Sequence, residues 1–240
     1  MDTAMKNEFH QFVREEFGEL MASRGFRRKG GSFERRERGV MIIATFMRYH
    51  ESLRPKFNVR MQVALEAFTQ ELGVILMRDL SHVIGRGSEV DEWYWPVADA
   101  ERHRLTTELK EAFFSHGLLW LEPLLDPRQL AAKLEGEKHF TKEDDDRVIE
   151  IMRALGAANI ETAHQSSGFL APRAGKLRPN IVKALSFCYE VSGQWDLAIR
   201  AWEEYARVVR DQLERDPALA RQLSERRAFL ETQRGKAPGQ

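Results

Sequence analysis

Ten residues, KFNVRMQVAL at 56–65, constrain this chain more than any other stretch. Phe57, Val59, Met61, Val63 and Leu65 occupy every second position, with Asn58, Arg60, Gln62 and Ala64 between them. Successive side chains of an extended backbone point to opposite faces, so the first set must lie against a core. Two more strand signals precede it, SFERRE at 32–37 and VMIIATFMR at 40–48. Gly39, in the RERG stretch between them, accepts a positive φ and predicts a tight hairpin. Consecutive strands joined by short links predict an antiparallel meander of three or four strands, because parallel pairing needs a long crossover.

Helices frame this sheet. Phe9, Phe12, Val13, Leu20 and Met21 recur at three- and four-residue steps, with Lys6, Arg14, Glu15 and Glu19 on the other side, and Gly25 supplies a stop. Phe68, Leu72, Ile75, Leu76, Leu80 and Val83 form a stripe that predicts a second helix from Thr69 to Gly85. Asp99 opens a third, which buries Leu105, Leu109, Ala112 and Phe113 and ends at Gly117. LLWLEPLL at 118–125 is apolar enough to be largely buried, and Asp126-Pro127 starts a short helix through Leu134. Polarity then rises over 135–146, beyond which every signal is helical. Thr141 caps one helix, and others cover 180–191, 195–213 and 217–232, with a loop at 166–179. The expected fold class is α+β. An α+β domain spans residues 1–135, and a helical domain spans 136–240.

Two resemblances bear on these parts. Phe9 and Phe12 on the opening helix, then GFRRKGGSFERR, two apolar strands and WYW before a helix, resemble a bacterial domain family of unknown function over roughly residues 5–125. That likeness implies a small α+β domain and no particular activity. PNIVKALSFCYEVSGQWDLAIRAWEEYARVVRD, at 179–211, resembles a single tetratricopeptide-type helical hairpin. Leu185, Tyr189, Gly193, Trp195, Ala198 and Trp202 occupy matching positions of that 34-residue pattern. Ser186 stands where a small glycine is usual, the terminal proline is absent, and no second copy follows at the same period.

The totals exclude several classes of function. The 240 residues carry 37 basic and 37 acidic side chains, so no global field draws in nucleic acid or an anionic membrane. One cysteine, Cys188, excludes an internal disulfide framework and any multi-cysteine metal knuckle. The longest apolar run, VMIIATFM, is far shorter than the ~20 residues that span a bilayer, and the N-terminus lacks an apolar signal core. A cytoplasmic location is expected.

Chemistry-bearing motifs are scarce. Gly25 and Gly30 have the spacing of a phosphate loop, but Gly31 stands at the lysine position and the order is helix then strand, the reverse of a phosphate cradle. The seven histidines show no metal-ligand spacing, Cys188 sits on an apolar helix face, and no Gly-x-Ser-x-Gly elbow exists. No catalytic residue, metal ligand or cofactor is indicated. Two features remain as candidate binding residues. One is the basic hairpin, with Arg27, Arg28, Lys29, Arg35, Arg36 and Arg38; as a plain solvated edge its charges would serve to block unwanted strand pairing. The other is the aromatic pair Trp93 and Trp95, which an extended segment places on one face with Tyr94 opposite. Packing beneath the helix from Asp99 is the alternative fate for these rings.

The expected function is therefore a protein-interaction module, docking a partner on the sheet's exposed face or on the helical hairpin. Service as an immunity or accessory factor beside a toxin or defence system fits that description, although no residue speaks for it. A nucleic-acid binder using the basic hairpin is the first rival. An enzyme whose site is assembled from distant residues is the second.

Overall fold

The computed structural model describes residues 3–49, 56–66, 74–79, 93–94, 99–146 and 173–236. It divides into two compact units, Met1–Leu130 and Ala131–Gln240. The division lies within one helix, a few residues before the shift in composition.

In the first unit, α1 (Thr3–Ser23) closes on Gly25 at φ 77°. Phe26 N–H donates to Met21 O and Gly25 N–H to Ala22 O, so the turn satisfies carbonyls that a helix end leaves orphaned. The buried seam of α1 is Phe9, Phe12, Val13, Phe17 and Met21. Leu20 is only half-buried, and Phe17 takes the inner position.

Among the described residues six strands follow, all antiparallel: β1 (Arg27–Lys29), β2 (Ser32–Glu37), β3 (Val40–Tyr49), β4 (Lys56–Leu65), β5 (Val74–Asp79) and β6 (Trp93–Tyr94). The meander runs β1-β2-β3-β4-β5, and β6 pairs with the start of β4. Arg38 and Gly39 both take positive φ, 49° and 78°, which is the two-residue hairpin geometry that matches strand twist.

The sheet is wider than the three or four strands expected, and the helix expected from Thr69 to Gly85 is corrected by β5. Val74, Ile75, Leu76 and Met77 are consecutive apolar residues that suit a strand as well as a helix. The open edge of β4 decides between them, since its unpaired N–H and C=O groups are satisfied by a neighbouring strand. The flanking parts of that expected helix lie outside the described residues.

Paired residues share a face, so the register separates the sheet into two sides. One carries Phe33, Val40, Ile42, Ala44, Phe46, Phe57, Val59, Met61, Val63, Leu65, Leu76 and Trp93, all buried. The helices meet this side: Phe9 lies 5.3 Å from Phe57 and Phe17 lies 4.8 Å from Phe46, centroid to centroid.

From α2 (Asp99–Ala112) the chain continues through a π turn at Phe113–Leu118, one helical turn at Leu119–Leu121 and a 3-10 turn at Glu122–Leu125. The helical path therefore does not end at Gly117, contrary to expectation. Gly117 serves a close approach instead, because a Cβ there would stand 2.7 Å from Met61 Sδ and 3.4 Å from the Phe113 ring. Leu118, Leu121, Leu124 and Leu125 are buried and Leu119 is exposed, as an amphipathic helical path requires. Gly117→Val is expected to cost about 1–3 kcal/mol through overpacking. Gly18→Ala, in α1 with nothing near the added methyl, should instead gain up to ~1 kcal/mol. Urea titration of both variants checks the opposite signs.

The second unit holds the end of α3 (Pro127–Glu137), then α4 (Pro179–Val191), α5 (Trp195–Val208), one turn at Arg210–Leu213, and α6 (Pro217–Lys236). Thr141 caps the helical turn at 142–146: its Oγ1 accepts from Asp144 N–H at 3.2 Å, and Asp144 Oδ2 accepts from Thr141 N–H at 2.7 Å. The helix expected over Val148–Leu155 lies outside the described residues. A bridge between His139 and Leu177 orders part of the expected loop at 166–179. Gly193, at φ 73°, turns α4 back as α5, and Ser186 Oγ donates to Ala198 O at 3.0 Å across the pair. Trp202 Nε1 donates to Leu223 O at 3.0 Å, tying α5 to α6. Among the described residues no helix is long and apolar enough to cross a membrane.

Candidate functional site

The second side of the sheet differs in chemistry. Reading across β2, β3 and β4, one row is Ser32, Thr45, Arg60 and the next is Glu34, Ile43, Gln62. All six are partly accessible, whereas Met41, Ala64 and Asn58 elsewhere on this side are buried. The sequence produces this surface through the polar phase of the alternation: the residues between the core positions of β4 must point away from the core. Ser32 Oγ and Thr45 Oγ1 lie 2.9 Å apart, so the first row holds itself together. The helix contacts described above all fall on the other side.

The basic hairpin borders this surface, and its six cations are not equivalent. Arg35 points to the core side, where its guanidinium meets Glu37 at 2.5 Å and Glu122 at 3.2 Å and is only 21% exposed. Arg36 reaches Glu34 at 3.0 Å and Glu66 at 3.4 Å. Lys29 also meets Glu34, at 3.4 Å, and Arg38 approaches Asp126 at 3.9 Å. Burial raises the Glu34 carboxyl, but the hydrogen bonds from Arg36 and Lys29 outweigh it and hold the group below the ordinary carboxylate value. Its pairing therefore supports the fold above the carboxylate range and is lost as pH falls through the depressed value.

Four of the six thus have carboxylate partners: Lys29, Arg36 and Arg38 keep theirs in water, as a solvated edge does, and Arg35 is largely withdrawn from it. A lattice of paired charges offers a polyanion less than bare arginines would, because the phosphates must compete with carboxylates already in place. Glu66, Glu122 and Asp126 are distant in sequence from the hairpin, and no local pattern announces them.

Arg27 and Arg28 are different. Arg27 stands opposite Glu34 in the ladder, yet that carboxylate goes to Lys29 and Arg36. Among the described residues the Arg27 side chain has no hydrogen bond or ion pair, and the Arg28 side-chain contact is Nε–H to Gly30 O at 3.2 Å. Both lie exposed on β1, the end strand of the sheet, so β2 is an edge only at Arg35–Glu37, beyond the reach of β1.

The aromatic candidates separate as well. Trp93 is 3% exposed, stacks on Phe57 at 5.9 Å, and donates from Nε1 to Glu108 of α2 at 3.3 Å. Its ring serves the core, and a partner has no access to it. Trp95 lies outside the described residues.

The helical hairpin offers little open surface on α4. Ile181, Val182, Ala184, Leu185, Ser186 and Cys188 are buried. Tyr189 donates to Glu135, Ser186 bonds to α5, and Glu190 pairs with Arg226 of α6. Arg226 in turn lies over Phe187 at 4.6 Å and Phe229 at 5.1 Å. Much of α4 is thus covered by neighbouring helices of its own unit, while Asn180 and Val191 at its ends are exposed. α6 rests on a single seam, with Leu223 and Leu230 buried and Arg226 between them, and its exposed residues are mostly polar, with Phe229 among them.

Burial pushes the Cys188 thiol up to about 12, which keeps it protonated and unreactive near neutral pH. Among the described residues no group of His, Cys, Asp and Glu is arranged to hold a metal ion. No known protein family matches the chain, and neither a characterised protein nor a solved structure matches it.

Proposed function

We propose that this chain is a protein-binding module that docks its partner on the second side of the sheet and along the β1 edge. The supporting observation is the rows Ser32–Thr45–Arg60 and Glu34–Ile43–Gln62, a mixed polar and apolar surface beside an end strand. Neutral polar groups with one cation, one anion and a central isoleucine suit a protein surface better than a phosphate backbone. The carboxylates that pair with Arg35, Arg36 and Arg38 support the same preference over nucleic acid. The enclosed faces of α4 place less weight on the tetratricopeptide-like hairpin as the docking element.

Site-specific cross-linking tests the proposal. A photoreactive residue at Ile43 should give a reproducible protein adduct in native cells, while the same residue at Arg221, exposed on α6, should not. Equal yields of the same adducts from both positions, or none from Ile43, would defeat it.

A further inference from the structure

The geometry points to strand addition as the docking mode, with an acidic, extended protein segment as the occupant; this inference rests on the protein-binding reading above. β1 ends the sheet, so its outward N–H and C=O groups have no strand beside them among the described residues. An extended segment supplies those hydrogen bonds, and its side chains select the match.

The charges identify which segment fits. Arg27, Arg28 and Lys29 are consecutive and exposed, and neither Arg27 nor Arg28 has a carboxylate partner among the described residues. Arg27 and Lys29 share the side that bears Glu34 and Ser32, while Arg28 faces the other way. An incoming strand with carboxylates at every second position would set one opposite the Arg27 side chain and one opposite Lys29, where it shares the ammonium with Glu34. Cross-strand pairs of opposite charge are favourable, and like charges directly opposite are not.

The same rule argues against a second copy of this chain. Two β1 strands paired antiparallel would bring arginine and lysine against arginine and lysine. The edge thus repels itself and favours an anionic strand, which combines protection against self-association with partner choice. A duplex nucleic acid lacks the strand backbone that this edge can hydrogen-bond.

Fluorescence anisotropy on the full chain tests this with a labelled peptide of alternating glutamate and threonine. The peptide should bind, and its affinity should fall at least about tenfold when salt is raised severalfold. N-methylation at alternate residues, which removes donors while keeping the charge, should weaken it by about tenfold or more. The double variant Arg27→Glu/Lys29→Glu should abolish binding. The milder Arg27→Gln/Lys29→Gln guards against a folding defect and should weaken it severalfold. Absence of peptide binding overturns strand addition, as does indifference to N-methylation or equal affinity for single-stranded DNA of matched charge. If Ile43 cross-links a partner and the peptide fails, only the strand-addition inference is lost. If both fail, the binding surface itself is misassigned.

Discussion

Phe57→Ala is expected to lower the stability of the N-terminal unit by about 3–5 kcal/mol, the range for deleting a fully buried aromatic ring. Phe57 is 0% exposed and stands where three elements meet. The Phe9 ring of α1 lies on it at 5.3 Å, and the Trp93 ring of β6 stacks at 5.9 Å with an interplanar angle of 27°. Removing the ring leaves a cavity that neither neighbour can fill without leaving its own element. Phe57→Leu keeps most of the volume and should cost about 1–2 kcal/mol. Amide exchange is the decisive measurement. Protection should fall in α1 and across β3 and β4, while α4 and α5 keep theirs. Undiminished protection in α1 would show that the Phe9–Phe57 contact does not anchor that helix.

Trp202→Ala should produce a comparable loss, about 3–5 kcal/mol, in the C-terminal unit. Trp202 is 4% exposed, packs 5.4 Å from Tyr205 and 6.3 Å from Phe187, and donates its N–H to Leu223 O. Volume and hydrogen bond separate in Trp202→Phe, which keeps a ring but no donor and should cost about 1–2 kcal/mol. Exchange should accelerate first in α6, since that helix is held by one narrow seam. If α6 stays protected in Trp202→Ala, the bond to Leu223 is dispensable and the Arg226 contacts with Phe187, Phe229 and Glu190 carry the attachment.

These two residues also show what can be read without coordinates. The alternation of 56–65 places Phe57 on the core side of a strand, and the structure has it there; Trp202, by contrast, is seen to join α5 to α6 only in the structure. Phe17 escaped notice because Leu20 fits the same helical spacing, and only packing chooses between two apolar residues on nearly the same face. Residues 74–79 show the opposite limit. A short apolar run satisfies helix and strand periods alike, and the unpaired edge of β4 selects the strand.

The candidate surface divides along the same line. That Arg27, Arg28, Lys29, Arg35, Arg36 and Arg38 are basic and surround a hairpin is evident from GFRRKGGSFERRERG alone. Which of them remain available to a partner is not, because the neutralising carboxylates of Glu66, Glu122 and Asp126 come from elsewhere in the chain.

By itself, the sequence determined the local geometry: the period-two strands, the glycine turns at Gly25, Gly39 and Gly193, and the amphipathic helices, since each follows from neighbours a few bonds apart. Only the tertiary structure decided the joining of β5 and β6 to β4, the passage of the helical path through Gly117 over Met61, and the charge left over on β1. Those outcomes depend on groups far apart along the chain, whose meeting is set by packing and electrostatics across the whole core.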